Sequence, residues 1–570
     1  MSQLSQSKRV FLNTSFLLLF SVFLLVHFQS SDHVFLKSKT NNLNKNKNFV
    51  SGTNADQNCE SFHSLSDYKA KCFYLKSNDP CVSQGYIDYL YLFYCEFGGF
   101  PLLGHTLLFL WLLVMFYLLA NTASEYFCPS LESLSKLLRL SPTIAGVTLL
   151  SFGSGANDVF STLVSFKSNG TQDIGFNAVL GGASFISCVV VGVVSISVRH
   201  KQIHVQKSAL IRDICFLLFV IVCLLTIFII GEINLVVGIG FCFMYVVYVV
   251  IVYVTSKGKD VCEEEDGEHE SDSRHGKGND LGLPLLGFME KGMISEEFKI
   301  EKNCCYEKSS IFRILLYVLD MPLYLPRRLT IPVVCEEKWS KLYAVSTTIL
   351  APLLLSFLWK NNFSSSSSLM VYGIGLSVGV TLGLTAIFTT ESSNPPKKYL
   401  LPWLAAGFVM SVTWSYISAQ ELVGLLVSIG YICGVSPSIL GLTVLAWGNS
   451  VGDLVTNLTM ALNGGSDGTQ TAISGCYAGP IFNTVVGLGL SLVSSTWREY
   501  PSSVVIPRDP YLWETLGFLV VGLIWALVVL VRKDMKLNAM LGGGLLAIYF
   551  SSVILRLIQT LGPLQFKDML

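Results

Sequence analysis

SPTIAGVTLLSFGSGAND, residues Ser141 to Asp158, and SPSILGLTVLAWGNSVGD, residues Ser436 to Asp453, decide how this chain is read. They align without a gap, and eight of eighteen positions are identical, including the closing aspartate. Each stretch is otherwise largely apolar. A carboxylate inside a membrane span is costly and marks a functional site by default. Two such carboxylates on duplicated segments point to one ion site assembled from two halves of a transporter.

The rest of the chain fits that reading. Of 570 residues, 51% are hydrophobic and only 14% charged, against about 25% charged in soluble proteins. Apolar runs of roughly 18 residues or more recur, each long enough to cross a bilayer as a helix. The expected fold class is an all-α polytopic membrane protein, with the lipid bilayer as its surroundings. Lys and Arg (39) balance Asp and Glu (39), so no basic surplus argues for nucleic acid.

Residues 1–30 read as a signal peptide or signal anchor, because Lys8 and Arg9 precede the apolar run Val10 to Phe28. Residues 31–101 follow as a lumenal or extracellular segment. Cys59, Cys72, Cys81 and Cys95 lie there, and an oxidising compartment would let them form two disulfides in one of three pairings. A first transmembrane half occupies 102–255, with repeat 1 at 141–198. A cytosolic loop, 256–340, carries the acidic run Glu263 to Asp266, read as a solvated linker. Two additional helices and their connection take 341–401. The second half, 402–558, contains repeat 2 at 436–494, and 559–570 is a short tail.

Basic residues set the orientation. Lys136 and Arg139, the loop 199–212, Lys397 and Lys398, and Arg532 to Lys536 all count to one side, the cytosol. The Asp158 span then runs from cytosol to lumen and the Asp453 span from lumen to cytosol. Repeats so inverted place their site near the bilayer midplane. Beyond the aspartates, Gly182-Ala-Ser-Phe-Ile-Ser187 and Ala478-Gly-Pro-Ile-Phe-Asn483 open matching partner helices.

Glycines and small polar residues before each aspartate are expected to loosen the helix and free backbone carbonyls toward a cavity. The candidate ligands are the carboxylates of Asp158 and Asp453, neutral oxygens from Ser154, Asn449 and Ser450, and Ser187 and Asn483 on the partner helices. All are hard oxygen donors, and no histidine lies in either repeat. The set suits calcium, sodium or potassium better than zinc or copper. Thr148 and Thr443 are expected to bond their own helix backbone. Glu421, also in an apolar span, is expected at a helix bend or a water-facing surface. No cofactor is expected; the cations are cargo.

These motifs resemble the paired α-repeats of the sodium/calcium exchanger superfamily, in its plant cation/calcium exchanger branch, related to potassium-dependent and mitochondrial-type exchangers. Gly448-Asn-Ser-Val-Gly-Asp453 fits that pattern. In the first repeat, Ser154 stands where the pattern has asparagine and Asn157 where it has proline. The resemblance implies an inverted-repeat fold of two five-helix halves plus extra helices, and alternating access exchanging calcium for sodium, potassium or protons. A monovalent cation/proton exchanger and a non-transporting cation sensor are the alternatives. An intramembrane aspartyl protease is the enzyme alternative, and it fits poorly, since neither Gly155-Ala-Asn-Asp158 nor Ser450-Val-Gly-Asp453 carries its Gly-x-Gly-Asp motif. The expected locations are the vacuolar, endoplasmic reticulum or plasma membrane.

Overall fold

The computed structural model describes residues 67–77, 85–137, 151–167, 171–201, 203–265, 324–334, 339–359, 365–391, 395–396, 400–463, 465–506 and 509–567. The segment 1–30, Cys59, Cys81, Thr148 and most of 256–340 lie outside them. The chain divides into two compact units, Met1–Asn58 with Glu307–Pro326, and Cys59–Tyr306 with Arg327–Leu570. The second unit contains both repeats.

Helix α1 (Tyr68–Ser77) is joined by a Cys72–Cys95 disulfide to the segment formed by α2 (Tyr89–Tyr91) and a π-helical turn, Leu92–Glu96. The first half then runs α3 (Pro101–Thr122), a π-turn Ala123–Phe127, α4 (Cys128–Leu137), α5 (Ser151–Ser165) and α6 (Gln172–Ser184). A π-turn Phe185–Val190 leads into α7 (Val191–Ser197), followed by α8 (Lys207–Ile230) and α9 (Leu235–Glu265). Helices α10 (Lys341–Trp359) and α11 (Ser365–Thr389) form a hairpin. The second half is α12 (Leu400–Cys433), α13 (Pro437–Leu440) with a π-turn Gly441–Leu445, α14 (Ala446–Asn463) and α15 (Gly465–Phe482). A π-turn Asn483–Leu488 continues into α16 (Gly489–Glu499), then α17 (Pro510–Arg532) and α18 (Ala539–Lys567). A two-residue antiparallel ribbon pairs β1 (Glu232–Ile233) with β2 (Val504–Val505).

Among the described residues, 11 helices are long and apolar enough to cross a membrane. With α5, which begins at the edge of a described segment, they make two sets of five and the α10–α11 pair. That is the inverted-repeat architecture. Helix α12 is a single uninterrupted helix of 34 residues, and Gly434, at φ +68°, ends it in a left-handed turn that few other residues tolerate.

In lipid, helices gain little from burying apolar surface against one another, so small residues that allow close approach carry the packing. A Cβ on Gly181 of α6 would stand 2.4 Å from the Leu442 carbonyl, and one on Gly441 would stand 2.7 Å from the Ile174 carbonyl. The two repeats therefore cross backbone to backbone. Each aspartate helix lies against the π-turn of the other repeat: α5 on Asn483–Leu488, and α14 on Phe185–Val190.

One expectation is corrected. Both motif helices stay α-helical through Gly153–Asp158 and Gly448–Asp453. The irregular backbone sits instead in the π-turns, directly before α14 and in both partner helices. An inserted residue widens a helix there while neighbouring turns keep their bonds, a device common at functional sites.

Candidate cation site

Asp158 is buried on α5, and both of its oxygens accept amide hydrogens from the second repeat. Asn449 Nδ2 donates to Oδ1 at 2.9 Å, and Asn483 Nδ2 donates to Oδ2 at 2.6 Å. Asn449 Nδ2 also lies 3.5 Å from Ser161 Oγ. With their NH2 groups so occupied, the Oδ1 atoms of Asn449 and Asn483 are buried without a hydrogen-bond partner. Ser450 Oγ and Thr484 Oγ1 are in the same condition. A Cβ on Gly182 would meet Ser450 Oγ at 3.6 Å and Asp158 Oδ2 at 3.8 Å, so these two oxygens face the same point of α6. Unpartnered buried oxygens are rare and call for an explanation. A hard cation would supply one, because it binds through carbonyl, hydroxyl and carboxylate oxygens.

Asp453 lies on α14, three and four residues beyond Ser450 and Asn449 and so on their side of the helix. Among the described side chains none donates a hydrogen bond to its carboxylate. The backbone around the two aspartates is matched. Thr162 Oγ1 donates to the Asp158 carbonyl at 2.7 Å, and Asn457 Nδ2 donates to the Asp453 carbonyl at 2.8 Å. Each donor lies four residues beyond its aspartate and at the equivalent place in its repeat. These bonds draw on the helix's own carbonyls and leave the carboxylates free for other partners.

The structure thus brings together Asp158, Asn449, Asn483 and Ser450, with Asp453 one helical turn beyond Asn449 on α14. Ser187 is buried in the π-turn Phe185–Val190, but its hydroxyl donates to its own helix, at Ala183 O, 2.7 Å away. Only its oxygen lone pairs remain for a ligand. Ser154 lies on α5, and its side chain is outside the described ones. Thr443 bonds Ile439 O at 2.6 Å, its own backbone, as expected. Glu421 does not face water: it is buried on α12 and bonded to residues 86 and 89.

Ser161, Thr484, Asn157 and Gly155 were missed by the sequence reading. Asn157 has a buried, unpartnered Oδ1, and a Cβ on Gly155 would fall 2.0 Å from Asn483 Oδ1. Ser161 carried a usable signal, since it sits one helical turn from Asp158 on the same face. Thr484 carried only adjacency to Asn483. The role of Gly155 depends on a crossing between helices more than 300 residues apart in sequence, which no local pattern encodes.

Comparison with known proteins agrees with this geometry. A family model described as "Sodium/calcium exchanger protein" matches residues 108–254 and 403–558, the two halves without the loop and hairpin between them. Cation/calcium exchanger 2 of Arabidopsis thaliana is 54% identical over 89% of this chain and 92% of its own length. Cation/calcium exchanger 1 of the same plant is 48% identical over 91% and 92%. The mitochondrial sodium/calcium exchanger protein of Rattus norvegicus is 31% identical over 87% and 89%. With both halves matched and near-full-length relatives up to 54% identical, the chain belongs to the sodium/calcium exchanger family.

Proposed function

We propose that this protein is a secondary active antiporter that moves calcium in exchange for sodium or protons by alternating access. The observation that carries the reading is the clasp between repeats: two asparagines of one hold the aspartate of the other, with orphaned oxygens beside it. Asp158 and Asp453 supply two negative charges, enough to balance one divalent ion, two monovalent ions or two protons. Asn449, Asn483 and Ser450 supply neutral oxygens, and Ser154 and Ser187 are further candidates. An empty site would carry two uncompensated charges through a low-dielectric region, which is expensive. A loaded or protonated site would not. That difference makes reorientation conditional on cargo, which is what separates an exchanger from a leak.

Potassium is a further candidate counter-ion. The Cys72–Cys95 disulfide supports a membrane bordering an oxidising compartment, and we place the protein in the vacuolar, endoplasmic reticulum or plasma membrane. Purified protein in liposomes, with calcium, sodium, potassium and proton gradients varied one at a time, tests the reading. Calcium uptake that requires an opposing sodium or proton gradient is expected. Monovalent flux without calcium movement would make it a monovalent cation/proton exchanger. Calcium binding without any flux would make it a sensor.

A further inference from the structure

The duplication runs on past the partner helices into the last helix of each half. Gly238-Ile-Gly240 on α9 and Gly542-Gly-Gly544 on α18 each precede a tyrosine at the same spacing, Tyr245 and Tyr549. Each of these helices docks on the partner helix of the opposite repeat, α9 along α16 and α18 along α7. The two seams match. A Cβ on Gly489 of α16 would stand 2.6 Å from Cys242 Sγ, and one on Gly192 of α7 would stand 3.0 Å from Leu546 Cγ. Cys242 and Leu546 both lie three residues before the tyrosine of their helix.

Each tyrosine then meets an aromatic ring where a partner helix widens. Tyr245 packs edge-on to Phe482, with centroids 5.2 Å apart, and Tyr549 packs edge-on to Phe185 at 5.9 Å. Phe482 is the last residue of α15, and Phe185 is the first of its π-turn. Both arms also reach the aspartate helix of their own half. Phe482 lies 5.7 Å from the ring of Phe152 on α5, and Tyr549 Oη accepts from Trp447 Nε1 on α14. Phe152 and Trp447 are equivalent positions, directly before Gly153 and Gly448. The arms end differently. Asn483 follows Phe482 directly and holds Asp158, with its own Oδ1 left unpartnered. Ser187 follows Phe185 by two residues, and its hydroxyl is spent on Ala183 O.

We infer that Tyr245 is a positioning residue of the cation site, acting through Phe482 on Asn483, and that Tyr549 is its weaker counterpart. A π-turn holds one residue more than a regular helical turn, so the turn by itself leaves slack in the direction from which Asn483 approaches Asp158. Edge-to-face rings prefer a defined geometry. Tyr245 and Phe152 hold the Phe482 ring from two sides, and Gly155 meets it on a third, where an added Cβ would stand 3.1 Å from Phe482 Cδ1. The ring is therefore fixed immediately before the amide that must face both Asp158 and a bound cation. The Tyr549 arm fixes Phe185 in the same manner but ends on a hydroxyl turned to its own helix, so less of its effect reaches the ion.

The inference rests on the exchange reading and deepens its site. The test uses the full chain, in liposomes for calcium exchange and in detergent for the midpoint of calcium-induced thermal stabilisation. Tyr245→Leu should raise the half-maximal calcium concentration by about fivefold, the size of a lost edge-to-face contact, with the maximal rate within about twofold. Tyr245→Phe keeps the ring and should stay within about twofold of the unaltered protein. Tyr549→Leu should shift the half-maximal concentration in the same direction by less than about twofold. In an Asn483→Ala background, Tyr245→Leu should move the stabilisation midpoint no further, because the residue it acts through is gone. An unchanged half-maximal concentration in Tyr245→Leu overturns the inference. So does a full additional shift in the Asn483→Ala background, or a Tyr245→Phe as impaired as Tyr245→Leu, which would move the role to the hydroxyl. Should Tyr245→Leu fail to reach the membrane, Tyr245→Met keeps side-chain bulk without a ring and carries the same outcomes. Calcium stabilisation without exchange by the unaltered protein would instead fail the exchange reading, and the midpoint would still read the effect of Tyr245→Leu.

Discussion

The two aspartate helices descend from one pattern and occupy matched places, yet they are dressed differently. Helix α5 is sheathed by α12 on one side and the second repeat on the other, and Asp158 is 5% exposed. Helix α14 leaves Trp447, Val451 and Val455 open at four-residue spacing, one whole face of the helix. The chemistry divides the same way. Repeat 2 keeps asparagines at 449 and 483 and spends both on Asp158. Repeat 1 has Ser154 and Ser187 at the equivalent positions, and Ser187 turns to its own backbone. One carboxylate is thus clasped, and the other is without a side-chain donor among the described residues.

The sharpest way to break this comparison is to neutralise each aspartate in turn. Both Asp158→Asn and Asp453→Asn should reduce calcium exchange to background in a liposome flux assay, because either change removes half of the site's charge. Their stabilities should differ. Asp158→Asn places an NH2 group against the amide of Asn449 or Asn483 and should cost about 1–3 kcal/mol, read as a lower melting temperature in detergent. Asp453→Asn should melt near the unaltered protein. Equal losses in both would dissolve the asymmetry.

Calcium itself gives a second measure. Saturating calcium should stabilise the unaltered protein by about 2–3 kcal/mol at a hundredfold excess over its dissociation constant. Asp453→Asn should lose that protection. Protection that survives the change would place the ion away from Asp453. Next in size is Gly155→Ala. Its methyl group would land on Asn483 Oδ1, force the crossing of α5 and α15 apart and cost about 1–3 kcal/mol, with exchange falling alongside. Normal flux in this variant would show that the Asn483–Asp158 bond is dispensable. The smallest effect belongs to Thr162→Val. Its bond to the Asp158 carbonyl is local, so exchange kinetics should not move and stability should change by no more than about 1 kcal/mol. A changed calcium dependence would bring that hydroxyl into the site.

Much of the molecule was legible in its sequence because the duplicated features are local. Residues 141–158 and 436–453 align without a gap, and the loop charges gave their opposite senses. Asp158, Asp453, Asn449 and Asn483 could be named because a polar side chain in an apolar run stands out against the cost of burying it. The π-turns could not be named. A glycine-rich helix can relieve strain in several places, and here it did so at Phe185–Val190, Gly441–Leu445 and Asn483–Leu488 rather than at the aspartates. Glu421 was misplaced for a similar reason: its partners, Tyr86 and Tyr89, lie more than 330 residues away in a segment outside the repeats.

The sequence by itself determined the membrane-spanning class, the two inverted halves, and the pair of carboxylates with their hard-oxygen neighbours. Periodicity, length and charge act on each segment separately, so they can be read one segment at a time. The tertiary structure alone decided which amide meets which aspartate, where the helices widen, and how residues 86–89 and 327–330 join α3 to α12. Those depend on how closely helix backbones approach, and that distance is set jointly by residues hundreds of positions apart.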